Sequence, residues 1–219
     1  MRFSTGLPRL DDALGGGIPT KSITLIYGQE KSGKTSLVLR IIASAARAAS
    51  AAYVDCSGKL HPERLSQVLE ANRVESDRVY VTSVDNFLQQ EEIILKLHDG
   101  GAPAPLIIFD DFTYLHRMEL TGNVREDTRV YKRLAFQLAA LKEAALNWDL
   151  AVIVVGQVHS IPESGEARAV ARRILGYWAD HVLRVSREPG KKFSTISFEK
   201  PFRDRVVRFR VVRSGVSPL

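Results

Sequence analysis

The sequence has 219 residues, 45% of them hydrophobic and 26% charged, which suits one domain with a buried core and excludes a disordered or collagen-like chain. The single cysteine, Cys56, cannot form an internal disulfide, and no apolar run approaches the roughly 20 residues that span a bilayer. The net charge is +6, and the segment from Arg184 to Arg213 alone carries +7, with ten basic residues against three acidic ones. The composition therefore predicts a soluble cytoplasmic protein without a signal peptide.

The basic segment favours a phosphate-rich partner such as a nucleic acid, because segregated positive charge attracts polyanions. The alternative is that these residues simply form the solvated faces of strands.

Apolar segments alternate with helical patterns through most of the chain. Strands are predicted at 22–27, 51–55, 78–82, 106–110 and 150–156. Helices are predicted at 34–49, 62–71, 87–99 and 125–147. Apolar strands separated by helices are typical of a parallel sheet that is covered on both faces. After about Tyr177 the pattern changes to three strands linked by short turns, at 181–186, 193–199 and 206–212, which predicts antiparallel C-terminal strands.

Residues 28–35 (GQEKSGKT) match the phosphate-binding pattern G-x-x-x-x-G-K-[ST] between a predicted strand and a predicted helix. The glycines let backbone N–H groups point inward, and the helix directs the positive end of its dipole at the phosphates. Lys34 is expected to bridge the β- and γ-phosphates, and the Thr35 hydroxyl to hold Mg²⁺. The motif predicts ATP and Mg²⁺ as cofactors, with the nucleotide bound by Gly28, Gln29, Glu30, Lys31, Ser32, Gly33, Lys34, Thr35 and Ser36.

Asp110 ends the apolar strand 106–110, at the edge where open α/β sheets bind their ligands. We therefore expect Asp110 to hold Mg²⁺ together with Thr35. The next residue, Asp111, leaves three interpretations open, which are a helix N-cap, a second acidic group of the site, and a solvated side chain.

With these motifs in order, the chain resembles a RecA-family recombinase core, and most closely the archaeal RadB-type recombinase paralogs. The resemblance includes the segments 4–17 (STGLPRLDDALGGG), 53–55 (YVD), 61–65 (HPERL), 152–159 (VIVVGQVH), 175–177 (LGY) and 209–215 (FRVVRSG). It implies a P-loop NTPase with a RecA-like, mostly parallel central sheet flanked by helices, followed by C-terminal antiparallel strands. It also implies that residues 1–219 form a single RecA-like ATPase core domain with no N-terminal helical DNA-binding domain.

The resemblance assigns further roles by position. Arg64 is expected to lie against the adenine, which a flat guanidinium does well, and Gln157 to sense the γ-phosphate. A flexible loop over about 159–171 is expected to contact single-stranded DNA, with a shorter DNA loop near 116–125. The residues expected to bind the DNA backbone are Arg168, Arg172, Arg173, Lys200 and Arg203.

For Arg168, Arg172 and Arg173, ordinary surface charge on a helix is the alternative. Lys200 and Arg203 have a different alternative, which is to reach the ATP of a neighbouring subunit.

One position departs from the family pattern. The family has its catalytic glutamate two residues after the aspartate of the second strand, and here Ser57 follows Asp55 at that distance. A hydroxyl cannot act as a carboxylate base, and the loss of such a group typically costs about 10²–10⁴ in rate. Either hydrolysis is slow and ATP serves chiefly as a switch, or Asp111 supplies a substitute carboxylate and joins Lys34, Asp110 and Gln157 as a catalytic residue.

The resulting hypothesis is an ATP-binding and DNA-binding recombinase paralog of homologous recombination and DNA repair, with weak ATPase activity. Its expected partners are DNA, single-stranded rather than double-stranded, further copies of the chain, and the main recombinase or a Holliday-junction enzyme, but no membrane. The alternative is a KaiC-like regulatory ATPase that assembles with protein partners and does not bind DNA. A third interpretation is a nucleotide-independent scaffold for the main recombinase.

Overall fold

Strands and helices alternate along the computed structural model, which describes residues 1–157 and 165–219 and, for 165–170, the backbone alone. The strands are β1 (Arg2–Phe3), β2 (Ile18–Pro19), β3 (Ser22–Gly28), β4 (Ala51–Asp55), β5 (Val79–Ser83), β6 (Leu106–Asp110), β7 (Ala151–Gln157), β8 (His181–Ser186), β9 (Ser194–Lys200), β10 (Phe202–Val212) and β11 (Gly215–Pro218). The helices are α1 (Pro8–Leu14), α2 (Lys34–Ala45), α3 (Pro62–Ala71), α4 (Phe87–Gly100), α5 (Phe112–Met118), α6 (Val124–Asn147) and α7 (Gly165–Trp178).

Nine strands form one sheet in the order β11-β10-β9-β8-β3-β7-β6-β4-β5, and β1 pairs with β2 separately. The strands from β8 to β5 in this order are parallel, whereas β9, β10 and β11 join antiparallel at the other end. The predicted fold class, a RecA-like mostly parallel sheet with antiparallel C-terminal strands, is confirmed. Because β3, β4, β6 and β7 run in the same direction, their carboxyl ends lie at one edge of the sheet.

The sheet is covered on both faces, and each face has its own apolar core. One core joins the sheet to α1, α2 and α3 through residues such as Leu10, Ile41 and Val68. The other joins it to α4, α5, α6 and α7 through residues such as Ile94 and Leu138. Within the described residues, no helix combines the length and the apolar character that crossing a membrane requires.

Some local expectations were wrong. The strand β5 is the outer strand beside β4, and most of its side chains are exposed instead of buried on both faces. The helix α7 begins at Gly165, so the second half of the expected loop 159–171 is helical, while residues 158–164 lie outside the described part. The helix α5 covers the start of the shorter expected loop, and its His116 is completely buried.

Candidate functional site

The phosphate-binding motif forms the turn between β3 and α2, and its glycines are required by the geometry. A Cβ atom at Gly28 would collide with the carbonyl oxygen of Val185 on the neighbouring strand β8. Gly33 has φ +95°, a left-handed conformation, and a Cβ atom there would lie 3.1 Å from Cγ2 of Val211 on β10. The turn is therefore packed tightly against the C-terminal strands, and it delivers the chain into the first turn of α2.

Lys34 is the first residue of α2 and lies within the curve of the motif. Its Nζ donates hydrogen bonds to the carbonyl oxygens of Gly28 (3.0 Å) and Gln29 (2.7 Å). Burial lowers the pKa of Lys34, although the carboxylates of Asp111 and Asp110 act in the opposite direction. The ammonium group is therefore held beside the phosphate cradle, with two acidic side chains close by.

Ser32 adds an observation that bears on the ligand. Its side chain is 1% exposed, and within the described residues Oγ has no hydrogen-bond partner. A buried hydroxyl without a partner is costly, and a phosphate oxygen would satisfy it. The residues of the motif therefore fit a bound phosphate chain.

Asp110 lies at the carboxyl end of β6 and is 5% exposed. Its Oδ2 accepts a hydrogen bond of 2.8 Å from the Tyr53 hydroxyl, and the Thr35 side chain donates a second hydrogen bond to the carboxylate. Burial raises the pKa of Asp110 to about 6, while the hydrogen bonds from Thr35 and Tyr53 lower it. A hydroxyl and a carboxylate side by side form the oxygen-donor set that Mg²⁺ prefers.

A cavity of about 390 Å³ opens at this edge of the sheet. It brings together residues that are far apart in the sequence. The residues that were predicted from the sequence and that line it are Glu30, Lys31, Gly33, Lys34, Thr35, Ser36, Asp110, Asp111 and Gln157. Sequence reasoning missed three further lining residues, Lys59, Arg187 and Val211.

Asp111 is the N-cap of α5. Its Oδ1 accepts hydrogen bonds from the Thr113 backbone N–H (3.0 Å) and from the Thr113 hydroxyl (2.7 Å), and Oδ2 is 3.2 Å from Nη2 of Arg117. The capping interpretation is therefore correct for the structure. Because Asp111 also lines the cavity, its role as a substitute carboxylate stays a prediction.

Arg117 is a residue of the site that the sequence did not indicate. Its Nη2 donates to the Asp111 carboxylate and also to Oε1 of Gln157, at 3.2 Å in each case. Its Nη1 donates to the Thr113 hydroxyl at 2.9 Å. A basic residue at the end of a short helix carries no local pattern that announces such a role, so only the folded chain reveals it.

Ser57, which stands where the family has glutamate, lines the cavity as expected from its position. Its backbone N–H and its hydroxyl both donate to Oδ1 of Asp55, at 3.0 and 3.2 Å. Oδ2 of Asp55 accepts from the backbone N–H of Leu60 at 2.9 Å. Asp55 therefore holds the loop after β4 in place, and Ser57 presents only a hydroxyl at this point.

Arg64 does not line the cavity. Its guanidinium donates to the carbonyl oxygens of Val212 (2.7 Å) and Arg213 (2.8 Å), in the turn between β10 and β11. Arg64 thereby ties α3 to the C-terminal hairpin. The adenine contact implied by the family stays a prediction.

Three of the residues expected to bind DNA, Arg172, Arg173 and Lys200, line a second cavity, and Arg203 does not line it. Arg172 pairs with Oε2 of Glu199 at 3.1 Å, and Arg173 is an exposed neighbour on α7. The Lys200 ammonium donates to the carbonyl oxygens of Ala179 (2.5 Å) and Gly176 (3.2 Å) at the end of α7. Their DNA contacts stay predictions, as does that of Arg203, which is exposed on β10; the Arg168 side chain lies outside the described part.

The outward face of the antiparallel strands is basic. In β10, Val207 and Phe209 are buried in the core, so the alternate residues Arg208 and Arg210 project from the opposite face and are exposed. Residues opposite one another on paired antiparallel strands share a face. The residues on this face include Arg184, Ser197 and Val206 in one cross-strand row and Ser186, Thr195 and Arg208 in the next.

Comparison with known proteins gives consistent matches. A model of the Rad51 family matches residues 1–176. The DNA repair and recombination protein RadB of Archaeoglobus fulgidus is 29% identical over 221 residues, covering 100% of this chain and 99% of the relative. The protein of that name from Halobacterium salinarum is 33% identical over 195 residues, covering 85% and 81%. The fold is similar to the crystal structure of the RadB recombinase, with a TM-score of 0.79, 29% identity and 99% of each chain covered.

Proposed function

The chain belongs to the Rad51 family, and on that premise we propose that it is an ATP-binding and DNA-binding recombinase paralog that acts in homologous recombination and DNA repair. The relatives that carry the name DNA repair and recombination protein support the process. In this proposal residues 1–219 act as one RecA-like ATPase core domain. ATP and Mg²⁺ are the cofactors, and ATP serves mainly as a switch.

The observation that carries the proposal is the meeting of three groups at one edge of the sheet. The motif curves around the Lys34 ammonium, and the buried Ser32 hydroxyl lacks a hydrogen-bond partner within the described residues. The Thr35 side chain is hydrogen-bonded to the Asp110 carboxylate. Bound Mg²⁺ would neutralise charge on the phosphates, and Thr35 with Asp110 would hold it. The chain's own residues bind and orient the triphosphate.

The structure also supports slow hydrolysis. Ser57 faces the cavity with a hydroxyl that already donates to Asp55, so it offers no carboxylate for an attacking water. Besides Asp110, the carboxylates that line the cavity are Glu30 and Asp111, and Asp111 is the one that adjoins Asp110 in the chain. We therefore propose weak turnover that depends on Asp111, with Gln157 reporting the terminal phosphate to the segment that follows it.

The exposed basic face supports DNA as the partner. Arg184, Arg208 and Arg210 project from it beside hydroxyl side chains, a combination suited to phosphate oxygens and not to reading base sequence. The two faces of β10 belong to the two proposed sites. Val211 lines the nucleotide cavity, whereas Arg208 and Arg210 lie on the opposite face, where we place the DNA. Contacts to the DNA backbone, preferentially of single strands, belong to the proposal, together with binding to further copies of the chain and to the main recombinase or a Holliday-junction enzyme.

A titration of fluorescent single-stranded DNA with and without MgATP tests this function. We expect MgATP to tighten binding of the wild type by roughly 5- to 150-fold, the usual range for coupled sites. The variant Lys34→Ala should lose this difference while keeping the affinity measured without nucleotide. Lys132→Ala, which removes an exposed lysine from α6, is the matched control and should behave as the wild type.

Two results would contradict the proposal. An absence of DNA binding at about 50 mM salt would favour a regulatory ATPase that acts on proteins, since backbone contacts are strongest at low salt. A nucleotide effect that persists in Lys34→Ala would show that ATP is not held by this motif.

A further inference from the structure

Two residues of α5 contact Gln157, one at its backbone and one at its side chain. Gln157 is the last residue of β7, and its backbone N–H lies 3.4 Å from the hydroxyl of Thr113. Its side-chain Oε1 accepts a hydrogen bond of 3.2 Å from Nη2 of Arg117. The same side chain lines the nucleotide cavity with Lys34 and Asp110.

The chemistry of the two partners determines which end of the amide faces which group. A guanidinium has only hydrogen-bond donors, so it can bind the oxygen of the Gln157 amide but not its NH₂ group. With Oε1 committed to Arg117, Nε2 is the end that Gln157 can offer to a ligand in the cavity. Phosphate oxygens are acceptors, so this orientation presents them with a donor; the reversed amide would present them with a second acceptor.

Arg117 is itself held from several sides. Its Nη2 also contacts Oδ2 of Asp111, its Nη1 donates to the Thr113 hydroxyl at 2.9 Å, and its Cζ lies 5.8 Å from the centre of the Tyr114 ring. The side chain is 24% exposed and that of Asp111 13%. Such a guanidinium has little freedom to leave Gln157, so the amide orientation is built into the fold.

We propose that Arg117 is a positioning residue that sets the amide orientation of Gln157, so that the NH₂ group meets the terminal phosphate of ATP. The inference rests on the proposed function, since it deepens the account of how the same site distinguishes ATP from ADP. Arg117 acts through Gln157, and ADP lacks the phosphate that Gln157 would contact. Loss of Arg117 therefore weakens the preference for the triphosphate and leaves ADP binding in place.

The test compares affinities for ADP and for the β,γ-imido analogue of ATP in wild type, Arg117→Met, Gln157→Ala and the double variant. A hydrogen bond to a charged group typically changes affinity by roughly tenfold or more. We expect each single variant to lose about tenfold in affinity for the ATP analogue, with ADP affinity unchanged. In the double variant, Arg117→Met should add nothing to Gln157→Ala, because Arg117 has no other route to the phosphate.

The double variant separates positioning from a direct effect of charge. An arginine that attracts the phosphate through its own charge would still matter when Gln157 is absent. Arg117→Lys keeps a donor and should restore part of the preference. Arg129→Met removes an exposed arginine from α6 and should change neither affinity.

Retained ADP binding shows that each variant is folded with an intact motif. If the wild type binds neither nucleotide, the proposed function itself fails. If the wild type binds both and prefers the ATP analogue, but Arg117→Met keeps that preference or weakens both nucleotides equally, only the inference about Arg117 is overturned. Equal affinity of the wild type for both nucleotides would also overturn it, while nucleotide binding would stand.

Discussion

The Tyr53 hydroxyl donates a hydrogen bond of 2.8 Å to Oδ2 of Asp110, from β4 to the neighbouring strand β6. Both side chains are almost completely buried. Burial raises the pKa of Tyr53, as does the Asp110 carboxylate, so the phenol stays protonated and acts as the donor. A residue of the sheet core thus helps to orient the carboxylate that we assign to Mg²⁺.

The substitution Tyr53→Phe removes this donor and keeps the ring. We expect it to lower the free energy of unfolding by about 1–3 kcal/mol, because a buried carboxylate oxygen loses a partner. Denaturant unfolding followed by circular dichroism measures the change. Tyr80→Phe, in the exposed edge strand β5, is the matched control. If both substitutions change the free energy of unfolding by the same small amount, the hydrogen bond from Tyr53 to Asp110 does not stabilise the fold.

The substitution Asp111→Asn tests the substitute carboxylate. An asparagine oxygen can still accept the Thr113 N–H that caps α5, but the side chain can no longer take a proton from water. We expect ATP turnover to be abolished and ATP binding to be retained, as measured by phosphate release and by calorimetry. Asp77→Asn serves as the control, because Asp77 is exposed and does not line the cavity. Unchanged turnover in Asp111→Asn would rule out Asp111 as the substitute carboxylate.

The double substitution Arg208→Gln with Arg210→Gln tests the basic face of β10. We expect weaker binding to single-stranded DNA at all sequences and a shallower salt dependence. The slope of log K against log salt should fall in magnitude by about 0.7 for each arginine that contacts a phosphate. Nucleotide affinity should not change, because both side chains point away from the cavity.

The matched control for that experiment is Arg73→Gln with Arg78→Gln, which removes two positive charges from a different surface, near the end of α3. If both double variants weaken DNA binding equally, net charge and not the face on β10 determines the affinity.

His116 predicts a pH dependence of stability. Its ring is completely buried, 5.9 Å from the Phe87 ring and 5.0 Å from the Tyr131 ring. Burial, together with the positive charge of Arg117, lowers the pKa of His116 to about 4, although Asp127 acts in the opposite direction. In the unfolded chain the ordinary pKa of about 6.5 applies, so between these values the unfolded state binds more protons and stability falls as the pH falls.

Between pH 7.5 and pH 4, the wild type should lose about 3 kcal/mol more of its free energy of unfolding than a variant that lacks this histidine. His116→Phe is that variant, and urea unfolding at several pH values measures the difference. The exposed His61 provides the control His61→Phe, which should follow the wild type. If the free energies of unfolding of the wild type and His116→Phe depend on pH in the same way, the buried His116 does not contribute to the pH dependence of stability.

The sequence was most informative where the signal was local. The bounds of β4 and β6 were predicted to the residue, because each is a short apolar run that ends in an aspartate. The motif at 28–35 was recognisable because a phosphate cradle needs glycine and lysine at fixed spacing along one turn. The sequence was least informative for β5, because its apolar residues predicted a buried strand, whereas the strand is exposed at the edge of the sheet.

By itself, then, the sequence determined the alternation of strands and helices, the phosphate-binding turn, the acidic strand end and the family resemblance, because each depends on residues close together in the chain. The tertiary structure alone decided that Arg117 binds the Gln157 side chain, 40 residues away, and that Arg64 holds the turn after β10, across 148 residues. Such contacts depend on which strands become neighbours and which way each helix is turned. The partner of a long flexible side chain is therefore set by the tertiary arrangement, and the residues next to it in the sequence do not indicate that partner.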